Sequence, residues 1–184
     1  EKLIPILELL MMIFSQKNKN IKILLFEKVP QKLLIKQFLC AEIDSKVYFL
    51  LMNTISNCFL CGLDDEWLIE SRSIEKFRKV YEVGNYLSKE ATTRCLMIAV
   101  YITSLNTCEA LFDSDLLIPA IQFIKSISDD NTIIKMLQIM NRMLEKIYRN
   151  QLDFGLDLQE AIFNVLQDLL DIENDKIAHL SQEI

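Results

Sequence analysis

Two cysteines in Cys58-Phe59-Leu60-Cys61 have the spacing that lets both sulfurs reach one metal or form a redox pair. A closed zinc site needs four ligands, and a thiol oxidoreductase needs a strand-to-helix context; neither accompanies this pair, which reads instead as two cysteines at a helix end. Cys40, Cys95 and Cys108 show no partner spacing. His179 is the only histidine, on a helix with Ile177 and Leu180, and acid–base chemistry has no partner for it in the sequence. Asp64-Asp65 follows Gly62 and precedes Trp67, a place where carboxylates cap a short helix. No glycine-rich phosphate cradle, nucleophile elbow or metalloprotease helix occurs. The expectation is therefore not an enzyme, with no catalytic residue, no metal ligand and no cofactor.

The elements that carry these residues must be helices. Of 184 residues, 51% are hydrophobic, yet only three are glycine and three proline, so backbone positions that need a positive φ are scarce and helix formers dominate. Glu1 to Lys46 holds eight lysines against five carboxylates, whereas Asp153 to Ile184 holds eight carboxylates against Lys176 alone. An acidic end repels nucleic acid and matches a basic peptide or protein surface. The lysines Lys17, Lys19, Lys22, Lys28, Lys32 and Lys36 are spread through a loop and two helical patterns with Phe26 the one aromatic among them, so no nucleic-acid partner is expected. Five scattered cysteines, an odd number, fit buried thiols in a reducing, intracellular compartment. The longest apolar run, Leu3 to Phe14, is broken by Glu8 and is well short of the ~20 residues of a membrane span, so no membrane partner is expected. Both ends fall within helical patterns and the first residue is Glu, which reads as a fragment of a longer array.

Self-alignment shows a repeat. Val29-Pro30-Gln31-Lys32-Leu33, Ile74-Glu75-Lys76-Phe77, Ile118-Pro119-Ala120-Ile121 and Ile162-Phe163-Asn164-Val165 begin 45, 44 and 44 residues apart, within the period of about 40–47 for armadillo and HEAT units. A second series opens on residues suited to the N-cap: Asp44-Ser45, Ser88-Lys89, Asp130-Asn131 and Asn174-Asp175. A third, shorter helix is expected over Ile21 to Lys28, Asp65 to Ser71, Cys108 to Asp113 and Leu156 to Glu160. Short, long and long helices per unit give the expected fold: all-α, a right-handed superhelical solenoid of armadillo-like repeats of about 44 residues, with HEAT-like units as the alternative. The chain then divides into a partial repeat at 1–16, repeats at 17–60, 61–106 and 107–150, and a terminal repeat at 151–184. Trp67 and the methionines Met11, Met12, Met97, Met136, Met140 and Met143 read as packing between helices.

Within this frame the run Met52-Asn53-Thr54-Ile55-Ser56-Asn57 resembles the groove-lining segment of the importin-α (karyopherin-α) family, where a Trp-x-x-x-Asn pattern recurs. Val100-Tyr101-Ile102-Thr103-Ser104 is similar to the same segment in the next repeat. Asp130 to Leu137, Val165 to Leu169 and Ile172 to Ile177 are similar to the family's closing repeats. The resemblance implies a nuclear transport adaptor in cytoplasm and nucleus that binds basic nuclear localisation signals and importin-β or exportin-type karyopherins. It places peptide binding at Asn53, Asn57, Val100 and Ser104, with Asn57 the foremost, bonding to a cargo backbone. Asn53 and Val100 stand at the family's tryptophan positions and cannot form its slots for Lys and Arg stems, which shifts the implied role towards docking the export receptor. A scaffold subunit of a larger complex, unrelated to transport, is the alternative, and needs no groove residues at all.

Overall fold

The computed structural model describes residues 3–15 and 30–184; the short helix expected over Ile21 to Lys28 lies outside them. All regular secondary structure among the described residues is helical. The chain forms two compact units, residues 1–95 and 96–184, and the boundary falls inside one helix.

The first unit contains α1 (Leu3–Ser15), α2 (Gln31–Cys40), α3 (Lys46–Phe59), a 3-10 turn (Glu66–Ile69), α4 (Ser71–Val83) and the start of α5 (Tyr86–Ile102). Helix α3 begins where Ser45 accepts a hydrogen bond from the Tyr48 amide, relieving one unpaired donor of the first turn. It packs against α1 and α2, and nearly every side chain from Tyr48 to Phe59 is buried. A helix that is apolar or small on all sides, as here with Leu50, Thr54, Ser56 and Ile55, suits an enclosed position. The buried hydroxyls of Thr54 and Ser56 stay satisfied by donating to Leu50 O and Met52 O, one turn back.

Around α3 the aromatic rings of Phe38, Phe77 and Trp67 meet at centroid distances of 5.1–6.4 Å, and Phe59 stacks on Trp67 at 6.1 Å. Lys76 donates to Ala41 O past the end of α2 and sits 5.8 Å from the Tyr48 ring; burial, then neighbouring Lys79, lowers its pKa. Gly84 turns the chain into α5, because a Cβ there would lie 2.5 Å from Val80 O. Helix α5 starts at Tyr86, ahead of the expected Ser88. Asn85 is the residue that caps it, accepting from the Ser88 amide at 2.9 Å, while the Ser88 hydroxyl is engaged elsewhere, donating to Ile43 O at 2.6 Å.

The second unit takes the end of α5, then α6 (Leu105–Asp113), α7 (Leu117–Phe123) with a 3-10 extension (Ile124–Ser126), α8 (Asp130–Asn150), α9 (Leu156–Leu170) and α10 (Asp175–Glu183). Pro119 falls in the first turn of α7, where its missing N–H costs nothing. Helix α8 buries Ile133, Met136, Leu137, Met140, Met143, Leu144 and Ile147, a stripe at helical spacing with charged residues opposite. Asp129 and Asn174 cap α8 and α10 through their side chains. No separate short helix spans Leu156 to Glu160: α9 runs unbroken through Ile162, since neither a breaker nor a cap residue intervenes. The stretch from 151 therefore holds two helices, whereas residues 61–104 hold a short 3-10 element and two helices and residues 105–150 hold three helices; the expected boundary between 106 and 107 falls inside α6.

Within each unit, hydrogen bonds join positions 41 to 46 residues apart, close to the 44–45-residue spacing of the sequence pattern. Tyr48 Oη pairs with Thr92 Oγ1 at 2.8 Å, 44 residues on, and the Asn85 amide donates to Asp44 Oδ1, 41 residues away. In the second unit Asn174 Nδ2 donates to Asp130 Oδ2 at 2.7 Å, again across 44 residues, and Lys146 Nζ donates to Val100 O at 2.8 Å across 46.

Candidate functional site

The residues with chemical potential are dispersed. Cys58 lies in the last turn of α3 and Cys61 two residues past its end, in a Schellman motif: the Leu63 amide donates to Cys58 O and the Gly62 amide to Phe59 O, with Gly62 at φ +94°. The three-residue spacing of the cysteines is thus the spacing of a helix end. Burial pushes the Cys58 thiol up to about 12, and burial does the same to Cys95, so neither offers a thiolate near neutral pH. Among the described residues no three His, Cys, Asp or Glu side chains gather as a metal site. His179 is exposed on α10, 3.6 Å from Glu183 one turn later. Asp64 accepts from the Glu66 amide at 3.3 Å and so starts the 3-10 turn. No helix among the described residues is long and apolar enough to cross a membrane.

The four residues that the importin-α resemblance marks have different environments. Asn53 is 4% exposed and Val100 is fully buried, so both contribute to packing. Asn57 is half-buried and donates through Nδ2 to Asn53 O at 3.0 Å, an i to i−4 bond within its own helix. Ser104 lies past the end of α5 and caps α6, accepting from the Thr107 amide. Asn53 and Asn57 belong to the first unit, Val100 and Ser104 to the second.

The second unit carries a different concavity. A cleft of about 430 Å³ opens where the α6–α7 corner faces the start of α9. Its walls are Phe112, Phe154, Leu117 and Leu158, the two phenylalanine rings lying 6.3 Å apart. Asp113, Asp115 and Asp157 stand at its edge. A shallower hollow of about 320 Å³ shares Ile118 and Asp157 with it and extends along α9 past Glu160 and Asn164. Among the described residues, none of Asp113, Asp115, Asp157 and Glu160 forms an ion pair, whereas Asp168 further along α9 pairs with Lys125. The cleft joins apolar walls to uncompensated negative charge, an arrangement able to bind an apolar side chain flanked by cations. The acidic C-terminal stretch is apparent in the sequence; the walls are not, because Phe112 lies on α6 and Phe154 in the loop before α9.

No family model, curated protein or solved structure matches this chain. The all-helical class is therefore established by the structure itself.

Proposed function

We propose that this chain is a protein-binding scaffold built of armadillo-like helical repeats, with partners that present basic surfaces. The observation that carries the reading is the set of hydrogen bonds across about one period, Tyr48 to Thr92 and Asn174 to Asp130, both spanning 44 residues. Repeats that each bond to the next bury a shared core and leave long outer faces for other proteins. The acidic C-terminal region supplies the charge that a basic partner would meet. The buried thiols of Cys58, Cys95 and Cys108 and the turn and cap carboxylates of Asp64 and Asp129 have structural surroundings, which favours binding over turnover.

A nuclear transport adaptor of the importin-α type is the narrower form of this proposal. It rests on the resemblance of the Asn57 and closing-repeat segments, while the burial of Asn53 and Val100 and the capping role of Ser104 favour karyopherin docking over signal-peptide capture. Calorimetric titration with a Lys/Arg-rich signal peptide and with a purified exportin tests that form; binding to neither removes it. The scaffold reading is tested by recovering the tagged chain from cells at physiological salt. A stoichiometric protein partner is expected, and a chain that is recovered alone after cross-linking overturns it.

A further inference from the structure

The α9 helix leaves large apolar side chains in water beside the acidic cleft. Leu156 is 80% exposed and Phe163 64%; seven residues apart, they lie on one face of the helix, with Glu160 between them. Exposed apolar groups that adjoin a concavity are the usual mark of a docking surface. Phe112 and Phe154 are only partly covered, so the apolar area extends from the α9 face into the cleft.

Two incomplete partners would each leave something unmatched. A neutral apolar helix would cover Leu156 and Phe163 but desolvate Asp157 and Glu160 without a counter-charge, at high cost. A purely cationic chain would pair with the rim and leave the phenylalanine walls wet. Nucleic acid and anionic lipid headgroups are repelled by four carboxylates without paired cations. A volume of about 430 Å³ falls in the range of sites that enclose a small organic group, which here corresponds to a bulky side chain and its flanks.

We infer that the cleft between the α6–α7 corner and α9 docks a cationic amphipathic segment of a partner protein. A Leu or Phe of that segment enters between Phe112 and Phe154, and its Lys or Arg residues pair with Asp113, Asp115, Asp157 and Glu160. The inference rests on the scaffold reading and names the class of partner that one surface takes.

The test is fluorescence anisotropy on the full chain with a labelled 18-residue amphipathic peptide of Leu, Phe and Lys. Two twins of the peptide accompany it, one with Glu for Lys and one with Ala for Leu and Phe. The triple variant Asp113→Asn, Asp157→Asn, Glu160→Gln is compared with a charge-matched triple elsewhere, Glu82→Gln, Glu173→Gln, Glu183→Gln. Binding should weaken at least tenfold for the cleft triple and less than twofold for the matched triple, and both twins should bind at least tenfold more weakly than the parent. Amide chemical shifts of the unmutated protein should move at residues 112–118 and 154–164, which keeps the test open if a variant misfolds. Equal weakening in both triples, equal binding of the Ala twin, shifts centred elsewhere, or no binding of the parent peptide each overturn the inference. The scaffold reading stands or falls separately, on recovery of a stoichiometric partner from cells.

Discussion

Replacing Lys146 by Met should destabilise the second unit by an amount that its geometry sets. The Lys146 ammonium reaches from α8 to the end of α5, donating to Val100 O at 2.8 Å, to Thr103 O, and to Cys108 Sγ at 3.0 Å. A cation at a helix C-terminus meets the negative end of the dipole, and charge-assisted bonds to carbonyls are each worth about 1.5–3 kcal/mol. Ordering the lysine side chain costs roughly 1.5–2 kcal/mol, which offsets about one of those bonds. Methionine keeps the apolar stem and removes every donor, leaving carbonyls at two buried positions less well satisfied, so the net loss is about 2–3 kcal/mol. At about 2–4 °C per kcal/mol for a chain of this size, the melting temperature should fall by roughly 4–12 °C. Urea unfolding followed by circular dichroism, with calorimetry, measures both quantities. Lys146→Gln, which keeps one amide donor group, should fall between. A Lys146→Met protein within about 0.5 kcal/mol of the parent would refute the capping argument, since surface substitutions do no more than that.

Thiol reagents should separate the cysteines by burial: at pH 8 the exposed Cys40 reacts within seconds, whereas Cys58 and Cys95, both pushed up to about 12 by burial, react only after denaturation, as mass spectrometry of labelled peptides would show. Gln151 holds φ +52° at the end of α8, so Gln151→Gly should raise stability by about 0.5–1 kcal/mol in a denaturant titration by relieving a left-handed side-chain conformation. The Asp129 carboxyl is held below its usual range by the Thr132 hydroxyl and then by the Thr132 amide. A carboxyl with a depressed folded pKa contributes stability above its unfolded value and loses it as the pH falls through the folded one. The difference in melting temperature between the parent and Asp129→Asn should therefore shift against the parent as the pH drops below about 4 and stay flat above about 6.

Much of the helical layout is written in the chain because caps and apolar stripes are local signals. Ser45 and Asn174 mark the starts of α3 and α10, and the stripe from Ile133 to Leu144 marks the buried face of α8. The start of α5 was less legible: Asn85 and Ser88 are both good cap residues three apart, and the choice depends on Ile43 O taking the Ser88 hydroxyl from a distant turn. The single helix from Leu156 to Leu170 was obscured by the repeat itself, which suggested a break that no residue there enforces. Trp67 was legible as packing because a lone large ring beside Leu68 and Ile69 needs cover. The cleft was half legible, its acidic edge being a run in sequence and its walls a product of tertiary packing. Burial of Asn53 could not be read from the pattern, since polar and small residues enclosed within α3 look like a presented face, and burial of Val100 in α5 is set by what packs on that helix rather than by its local sequence.

Trp67 also gives the molecule an optical label with a fixed address. It is the only tryptophan in the chain, it is 4% exposed among Phe38, Phe59 and Phe77, and its indole N–H finds no hydrogen-bond partner. An indole in so apolar a cage emits at short wavelength and moves to long wavelength when water reaches it. Its emission therefore follows the first unit alone, while far-ultraviolet dichroism averages every helix. Overlaid on one denaturant axis, the two signals measure directly whether residues 1–95 and 96–184 lose their structure as one cooperative body or as two.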